Sequence, residues 1–292
     1  MTTEDDFEPR TATTVDGTTL GIHEISGEGA LIVALHGFTG SSLDMLPLLI
    51  AARAGRPCVS IDVVGHGRSD APDHLETYSM ASVVDQVLSI VGPQAPTSVH
   101  LIGYSMGGRI ALSLGARAPW YFASITTLSA TAGIEDPVDR AERHDADLSL
   151  ADRIEEIGVD AFVDEWLSKP LFESYVSTLD PAQRTETVMR RRANTTRGLA
   201  NSLRATGTGA MPPTWNMLAS LRTPLLAIAG ERDAPYREVA NRLASEAYDG
   251  HAHVISDAGH VVHCEKPVEV SHIVSNFLQS CELPLDQQGE PA

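Results

Sequence analysis

The sequence predicts an α/β fold in which a mostly parallel, twisted sheet is flanked by helices and carries a helical cap insertion. Three observations lead to this prediction. Short apolar runs, as expected of buried parallel strands, alternate with longer segments of helical periodicity. Glycine-rich turns follow several of these runs, where a strand would pass into a helix. Between residues 132 and 219 the alternation stops, and a charged stretch without a strand-like run takes its place.

The individual elements are predicted in chain order from these patterns. Residues 11–26 alternate loosely around Asp16 and Gly17, which predicts a β-hairpin, whereas residues 1–10 and 284–292 are polar and expected to be frayed. Six apolar runs are the predicted parallel strands: 30–35, 58–64, 99–103, 124–128, 224–230 and 253–256. Five segments between them have helical spacing: 42–54, 78–91, 106–116, 236–248 and 267–279.

The stretch without strands indicates an insertion into one domain. Its predicted amphipathic helices cover residues 148–157, 160–167 and 183–192. A length of 292 residues suits one large domain with such an insertion. We therefore expect a core built from two parts, 11–131 and 220–283, and a helical cap over 132–219.

The balance of charges argues against two classes of partner. The chain has 39 Asp and Glu against 21 Lys and Arg, a formal net charge of −18. Nucleic acids and anionic membrane surfaces attract basic proteins, so neither is an expected partner. The start of the chain does not resemble a secretory signal, and no apolar run reaches the ~20 residues of a membrane span. The three cysteines have no metal-ligand or disulfide spacing, and we expect a cytoplasmic protein.

One strand-to-helix turn carries a pattern typical of an enzyme nucleophile. Residues 103–107, GYSMG, directly follow a predicted strand and directly precede a predicted helix. In a G-x-S-x-G elbow the serine sits on a strained turn, and the small flanking residues let the backbones approach each other. Ser105 is therefore the predicted catalytic serine.

A serine hydroxyl needs a histidine to take its proton and an acid to orient that histidine. His260, in the loop DAGH after the last predicted strand, is the preferred histidine, and His263 is its competitor. Asp233, which follows the preceding strand, is the preferred acid ahead of Glu231 and Asp257. The order Ser, Asp, His is the one found in α/β-hydrolases.

An oxyanion hole is predicted at the loop HGFTGSS, residues 36–42, which follows a strand and opens onto a helix. Backbone N–H groups stabilise developing negative charge, and the expected donors are the amides of Phe38 and Met106. The glycine patterns of phosphate-binding loops are missing from the sequence, which disfavours a phosphate site. A catalytic triad with an oxyanion hole needs neither a metal nor a cofactor, and we expect none.

In the order and spacing of these motifs the chain resembles the α/β-hydrolase superfamily over nearly its whole length. The motifs LHGFTGSS, GHGRSD, GYSMGG, GERD and AGHVVHCEKP follow one another as in that superfamily. The resemblance implies an α/β-hydrolase fold, which hosts many different reactions. A serine at the elbow disfavours dehalogenases and epoxide hydrolases, which use aspartate there.

Three segments are similar to one subfamily, the 2-succinyl-6-hydroxy-2,4-cyclohexadiene-1-carboxylate (SHCHC) synthases of menaquinone biosynthesis. They are YSMGGR at 104–109, FVDEWLSKPLF at 162–172, and a stretch with the successive patterns R-x-x-N, G-L-A and G-T-G that leads to Trp215. In the last of these, Ala210 and Met211 depart from the x-Gln that is commoner in the family. Two of the three segments lie in the insertion, where unrelated α/β-hydrolases share little.

The resemblance implies an elimination rather than a hydrolysis. The family's substrate, 2-succinyl-5-enolpyruvyl-6-hydroxy-3-cyclohexene-1-carboxylate, carries three carboxylates, and loss of a ring proton and of pyruvate leaves SHCHC. Ser105, activated by His260 and Asp233, would take part in abstracting that proton, and the oxyanion hole would stabilise charge on the succinyl carbonyl. The expected partner is therefore a small-molecule polycarboxylate. The sequence indicates no oligomeric state.

Arginines are the expected ligands of these carboxylates, because a guanidinium group meets a carboxylate with two parallel hydrogen bonds. With a net charge of −18 the attraction must be local. Arg109, one turn into the elbow helix, is the first candidate, and the alternative for it is an ordinary surface position. Arg143 and Arg191 are the candidates in the cap. Their rivals stand beside them in the sequence, namely Arg140 for Arg143, and Arg190 and Arg192 for Arg191.

Two aromatic residues are expected at the substrate pocket. Tyr104 precedes the predicted catalytic serine, Trp166 is either pocket wall or cap core, and Trp215 is more typical of core. Two other functions stay open. A serine hydrolase (a carboxylesterase or a C–C bond hydrolase) would keep the triad but favour an apolar pocket, and a ligand receptor without activity would not need the triad.

Overall fold

The computed structural model describes residues 2–92 and 99–282, and within them the chain forms an eight-stranded sheet with helices on both faces. The strands are β1 (Glu8–Thr13), β2 (Thr19–Ile25), β3 (Leu31–Leu35), β4 (Cys58–Ile61), β5 (Val99–Tyr104), β6 (Phe122–Leu128), β7 (Leu225–Gly230) and β8 (Gly250–Ile255). Their spatial order is β1-β2-β4-β3-β5-β6-β7-β8. Strand β2 is antiparallel to both of its neighbours, β1 and β4, and the six strands β3 to β8 are parallel to one another. The predicted sheet is confirmed.

Among the described residues, five core helices overlap the five segments that helical spacing predicts, a short helix after β8 was not predicted, and five more helices fill the insertion. They are α1 (Leu46–Ala52), α2 (Met80–Val91), α3 (Met106–Arg117), α4 (Pro137–Leu167), α5 (Pro170–Thr178), α6 (Pro181–Arg192), α7 (Thr196–Thr206), α8 (Trp215–Leu218), α9 (Ala234–Glu246), α10 (Val262–Glu265) and α11 (Pro267–Ser280). Short 3-10 helices cover Glu4–Asp6, Ser42–Met45 and Leu75–Tyr78.

The central strands are apolar along their whole length because helices cover both faces of the sheet. Every residue of β5, β6 and β7 is buried. On β3, Val33 and Leu35 belong to one apolar cluster, and Ile32 and Ala34 belong to another. Since side chains alternate along a strand, the two clusters are the cores on opposite faces of one sheet.

Most predicted bounds differ from the structure by a few residues, and two of the differences have a clear cause. Residues 1–10 are not all frayed, because Glu8 to Arg10 pair with β2 through backbone hydrogen bonds, which need no apolar side chains. The run predicted as a strand over 58–64 ends at Ile61, because the Asp62 carboxylate accepts hydrogen bonds from the amides of Ser42 (2.6 Å) and Arg68 (3.0 Å) and turns the chain. Residues 283–292 lie outside the described residues.

The insertion between β6 and β7 consists of helices α4 to α8. Two of the predicted helices are the arms of α4, which breaks at Gly158 with a φ of 75°. Helices α4 and α7 share a small apolar core of Ala151, Ile154, Phe162, Leu199, Ala200 and Leu203. Phe38, from the loop after β3, packs against this core. The cap therefore rests directly on the predicted oxyanion loop.

Candidate active site

Ser105 occupies a sharp turn between β5 and α3. Its backbone has φ 49° and ψ −106°, in the positive-φ region that residues with side chains rarely adopt. Glycines make the turn possible, because a Cβ on Gly107 would overlap the carbonyl oxygen of Leu35, and a Cβ on Gly103 would overlap that of Gly107. Close backbone packing on both sides thus presents the half-buried side chain of Ser105 at the carboxyl end of the parallel strands.

Ser105, His260 and Asp233 form one chain of hydrogen bonds, although they come from three separate loops. His260 Nδ1 lies 2.6 Å from Asp233 Oδ2, and His260 Nε2 lies 3.2 Å from Ser105 Oγ. A neutral imidazole that donates from Nδ1 to the carboxylate keeps Nε2 free to accept the serine proton. His260 and Asp233 are buried, which shields their interaction from water. The arrangement can therefore raise the basicity of the serine oxygen.

The alternatives to His260 and Asp233 lie elsewhere. The side chain of Asp257 is exposed and pairs with Arg232 at 3.2 Å, and Glu231 accepts a hydrogen bond from the Asp257 amide. His263 packs with its ring centroid 4.6 Å from that of Tyr104, and burial lowers its pKa to about 4. None of the three makes a hydrogen bond to Ser105.

The loop predicted to form the oxyanion hole is held by His36. The amide of Val63 donates to His36 Nε2 at 3.0 Å, so the proton of this ring is on Nδ1, which donates to the Gly37 carbonyl at 2.8 Å. Burial lowers the pKa of His36 and keeps it neutral, as these two bonds require. Thr39 has a φ of 66°, and its carbonyl accepts a hydrogen bond from the side chain of Asn194 at 2.8 Å. The loop is thus held in place both by His36 and Val63 of the core and by Asn194 of the cap.

The loop passes directly beside the serine. A Cβ on Gly37 would lie 2.6 Å from the Tyr104 ring and 3.5 Å from the Cβ of Ser105. The next amide is that of Phe38, and Met106 is the first residue of α3, where helical N–H groups have no partner in the helix. Neither amide donates a hydrogen bond to any residue in the described part of the chain. Both predicted donors are available to a ligand.

Arg109 is a buried cation, not a surface residue. Its side chain is 8% exposed, and Nη1 donates to the Thr206 carbonyl at 2.5 Å and contacts Met211 Sδ at 3.6 Å. No carboxylate of residues 2–92 or 99–282 forms an ion pair with it. Its pKa is lowered to about 10, mainly by burial; the nearby charge of Arg143 acts in the same direction, and those of Tyr236 and Asp147 oppose it. Met211, which stands where the family commonly has glutamine, thus touches this guanidinium.

The two candidates at the start of the cap differ in their partners. Arg143 donates from Nε to Asp147 Oδ1 at 2.8 Å, and its side chain is 45% exposed. Asp147 is itself buried and also accepts a hydrogen bond from the amide of Gly209 at 3.1 Å. Arg140 instead donates to the carbonyls of Ile134 and Glu135, on its own chain segment. Of this pair, Arg143 is the one whose charge acts on Arg109.

Of the three consecutive arginines at the end of α6, only Arg191 faces inward. It is 7% exposed and donates to the Thr187 carbonyl at 3.2 Å. Arg190 pairs with Glu4 and Glu186, and Arg192 pairs with Asp164. Arg191 lines a cavity of about 20 Å³ behind the oxyanion loop, together with Phe38, Asp44, Tyr104 and Tyr175. It therefore adds a second buried positive charge near the loop, on the side of Tyr104.

Aromatic rings surround the histidine and the loop. The Tyr104 ring lies 5.5 Å from that of His260, and Trp166 lies edge-on to Phe38 at 5.4 Å. Lys169 Nζ lies over the indole ring of Trp166, 5.0 Å from its centroid. Trp215 is buried in the core, and its Nε1 donates to the Gly133 carbonyl at 2.8 Å. Trp166 therefore links the cap core to the predicted site, whereas Trp215 does not reach it.

Two residues at the site were not among the predicted site residues. Tyr236 lies with its ring 4.7 Å from that of His260, and Phe172 is edge-on to the same ring at 6.2 Å. Burial raises the pKa of Tyr236, and the charge of Arg109 opposes this effect. Position alone could have indicated Tyr236, because it lies in the first turn of the helix that follows Asp233.

Two further properties concern the part of the chain that the structure describes. No group of three or more His, Cys, Asp or Glu side chains within it could hold a metal ion. None of its helices is long and apolar enough to cross a membrane.

Comparison with known proteins gives both a family and a set of relatives. The model of the alpha/beta hydrolase family matches residues 32–273. A protein of Bacillus subtilis (strain 168), provisionally named 2-succinyl-6-hydroxy-2,4-cyclohexadiene-1-carboxylate synthase, is 35% identical over 85% of this chain and 90% of its own. The synthase of the same name from Escherichia coli O157:H7 is 29% identical, over 85% of this chain and 93% of its own.

A solved structure agrees with these sequence relatives. The structure of MenH from S. aureus superimposes with a TM-score of 0.82 at 26% identity, over 89% of this chain and 98% of that one. The match extends across the cap as well as the core, because it covers most of both chains. The chain therefore belongs to the alpha/beta hydrolase family, and within that family it is similar to the SHCHC synthases.

Proposed function

We propose that the protein is a lyase of menaquinone biosynthesis that eliminates pyruvate from 2-succinyl-5-enolpyruvyl-6-hydroxy-3-cyclohexene-1-carboxylate and releases SHCHC. Such an enzyme would act in the cytoplasm on a small-molecule polycarboxylate. The names of its sequence relatives and the site geometry both support this reaction.

In the proposed reaction Ser105 abstracts the ring proton. Its hydroxyl proton passes to His260 Nε2, 3.2 Å away, and Asp233 stabilises the resulting imidazolium. The electrons of the broken C–H bond form a new ring double bond, the existing ring double bond shifts by one position, and the C–O bond to the enolpyruvyl group breaks. The departing enolate takes up the proton held by His260 and becomes pyruvate, which returns the histidine to its neutral form. The amides of Phe38 and Met106 stabilise the enolate charge on the succinyl carbonyl in the meantime. No covalent bond to Ser105 is required.

The single observation that carries the proposal is that Arg109 is buried but forms no ion pair within the described residues, while Asp147, whose charge acts on it, is paired with Arg143. A buried charge without an ion-pair partner is costly, so a ligand that supplies the opposite charge would be bound favourably there. A substrate carboxylate would provide that charge one helical turn from Ser105, because the Arg109 amide bonds to the Ser105 carbonyl. Arg191 and Arg143 are the proposed ligands of the other carboxylates, and Arg143 would then share its charge with Asp147.

Release of pyruvate, coupled to lactate dehydrogenase, tests the proposal with enzymatically prepared enolpyruvyl substrate. We expect rapid release by the wild type, none above background by Ser105→Ala, and strongly reduced kcat/KM for Arg109→Met. Arg117→Ala is the matched control, because Arg117 lies on the same helix with its side chain 66% exposed. Its activity should equal that of the wild type.

The substrate loses pyruvate spontaneously, so the rate without enzyme sets the baseline. A wild-type rate equal to that baseline would refute the lyase. A serine hydrolase, which is the alternative, would use the same triad but would give Arg109 no ligand. Turnover of esters or ring-cleavage diketones, unaffected by Arg109→Met, would support it instead.

A further inference from the structure

The carboxylate of Glu265 collects three hydrogen bonds from two different parts of the molecule. Oε2 accepts from the amide of Gly259 at 2.8 Å, and Oε1 accepts from the amide of Val261 at 3.1 Å. The hydroxyl of Ser174, in the cap, donates to Oε2 at 2.5 Å. The two oxygens are thus shared between the core and the cap.

The two amides that Glu265 binds belong to the residues immediately before and after His260. The loop is fixed on both sides of the imidazole, while Asp233 holds the ring itself through Nδ1. Packing around this contact is close, since a Cβ on Gly259 would lie 2.9 Å from the Ser174 Cβ and 3.2 Å from Glu265 Oε1. A charged acceptor makes stronger hydrogen bonds than a neutral one. Glu265 therefore limits the backbone rotation that would move the ring away from Ser105.

The third bond connects this loop to helix α5. Ser174 lies on α5, and Phe172 of the same helix contacts the His260 ring edge-on at 6.2 Å. Trp166, which contacts the oxyanion loop, precedes this helix in the cap. A displacement of α5 from the core would break the Ser174–Glu265 bond and remove Phe172 from the imidazole at the same time.

We propose that Glu265 is a positioning residue for His260 and that its bond to Ser174 makes the orientation of His260 depend on the seating of α5. Glu265 acts through the loop backbone and takes no part in the proton transfer itself. The inference rests on the proposed function only in that His260 serves as the base for Ser105. It holds whether the substrate is the enolpyruvyl compound or an ester.

The test therefore uses a probe that is independent of the substrate. A fluorophosphonate labels a serine that its histidine activates, so the labelling rate of Ser105 reports the orientation of His260. In Glu265→Gln an NH₂ group replaces one acceptor and faces a backbone N–H. We expect the labelling rate and the kcat of pyruvate release to fall together by about 100-fold, with KM unchanged. Ser174→Ala keeps both amide bonds, and we expect a fall of about 10-fold.

Glu269→Gln is the matched control, because it makes the same change of charge at an exposed position four residues away. It should label at the wild-type rate, and Ser105→Ala should not label. If Glu265→Gln folds and labels at the wild-type rate, the proposal is wrong. If Glu265→Gln does not fold, Ser174→Ala takes its place, and labelling of that variant at the wild-type rate refutes the proposal. Loss of labelling in Glu269→Gln would also overturn it. Slow labelling by the variants without pyruvate release by the wild type would support the positioning role and refute the lyase.

Discussion

Replacement of Arg109 by methionine is expected to separate stability from activity. Burial lowers the pKa of Arg109 to about 10, and each unit of pKa is worth about 1.4 kcal/mol. Keeping the guanidinium charged in the fold thus costs on the order of 3 kcal/mol at neutral pH. Because the pKa is lower in the folded than in the unfolded chain, the cost is present in full at all pH values below the folded pKa.

Methionine removes this cost together with the hydrogen bond to Thr206. The carbonyl that loses its donor stays buried, at a penalty of about 1–3 kcal/mol. We therefore expect Arg109→Met to be at least as stable as the wild type, with a free energy of unfolding that is higher by up to about 2 kcal/mol. Loss of a buried partner for a substrate carboxylate should meanwhile lower kcat/KM by about 100-fold or more.

Urea unfolding at pH 7 and pyruvate release measure the two effects on the same preparation. Thermal unfolding with succinate, a simple dicarboxylate, adds a binding measurement, since a ligand of the folded state raises its midpoint. Succinate should stabilise the wild type and leave Arg109→Met unchanged. A loss of unfolding free energy above about 2 kcal/mol would instead mean that Arg109 braces Thr206 and the cap. Equal stabilisation by succinate in both proteins would refute its role as a ligand.

Three other substitutions test the site and its support. Asp233→Asn should lower kcat by about 10⁴-fold with an unchanged thermal midpoint, because an amide favours the wrong imidazole tautomer; a kcat within tenfold of the wild type would contradict it. Gly107→Ala should lower the free energy of unfolding by about 3 kcal/mol or prevent folding, since its Cβ would overlap the Leu35 carbonyl; normal urea unfolding would contradict this. The pKa of His263 is lowered to about 4 by burial, so its contribution to stability is present above the unfolded pKa near 6.5 and is lost as pH falls toward 4. His263→Phe should flatten the fall of the thermal midpoint between pH 6.5 and 4, and a slope equal to that of the wild type would exclude this cause.

The positions of Ser105, Asp233 and His260 could be predicted because they depend on topology. Each follows a strand of one parallel sheet, and the carboxyl ends of such strands meet at one edge. The start of β1 could not be predicted, because edge pairing there relies on the backbone of polar residues. Periodicity carries no signal for such a strand.

The inward-facing arginines depend on the rotation of single helices, which the sequence specifies less well. Successive residues of a helix point about 100° apart, so Arg190, Arg191 and Arg192 cannot all face the core, and the sequence alone does not say which of them does. Thr187, one turn earlier, is buried on the same side as Arg191, but a threonine is a weak indicator of an inner face. The pairing of Arg143 with Asp147 follows from their spacing of four residues.

The contact between the turn of Ser105 and β3 also bears on how members of this fold acquire new substrates. The backbone of Gly107 packs directly against the backbone of Leu35. The distance between Ser105 and the loop after β3 therefore does not depend on a side chain that can vary. Arg143 and Arg191 are attached to cap helices, where a single codon change removes or moves a charge. Evolution can therefore exchange the groups that we propose to select the substrate while the backbone geometry around Ser105 is inherited intact.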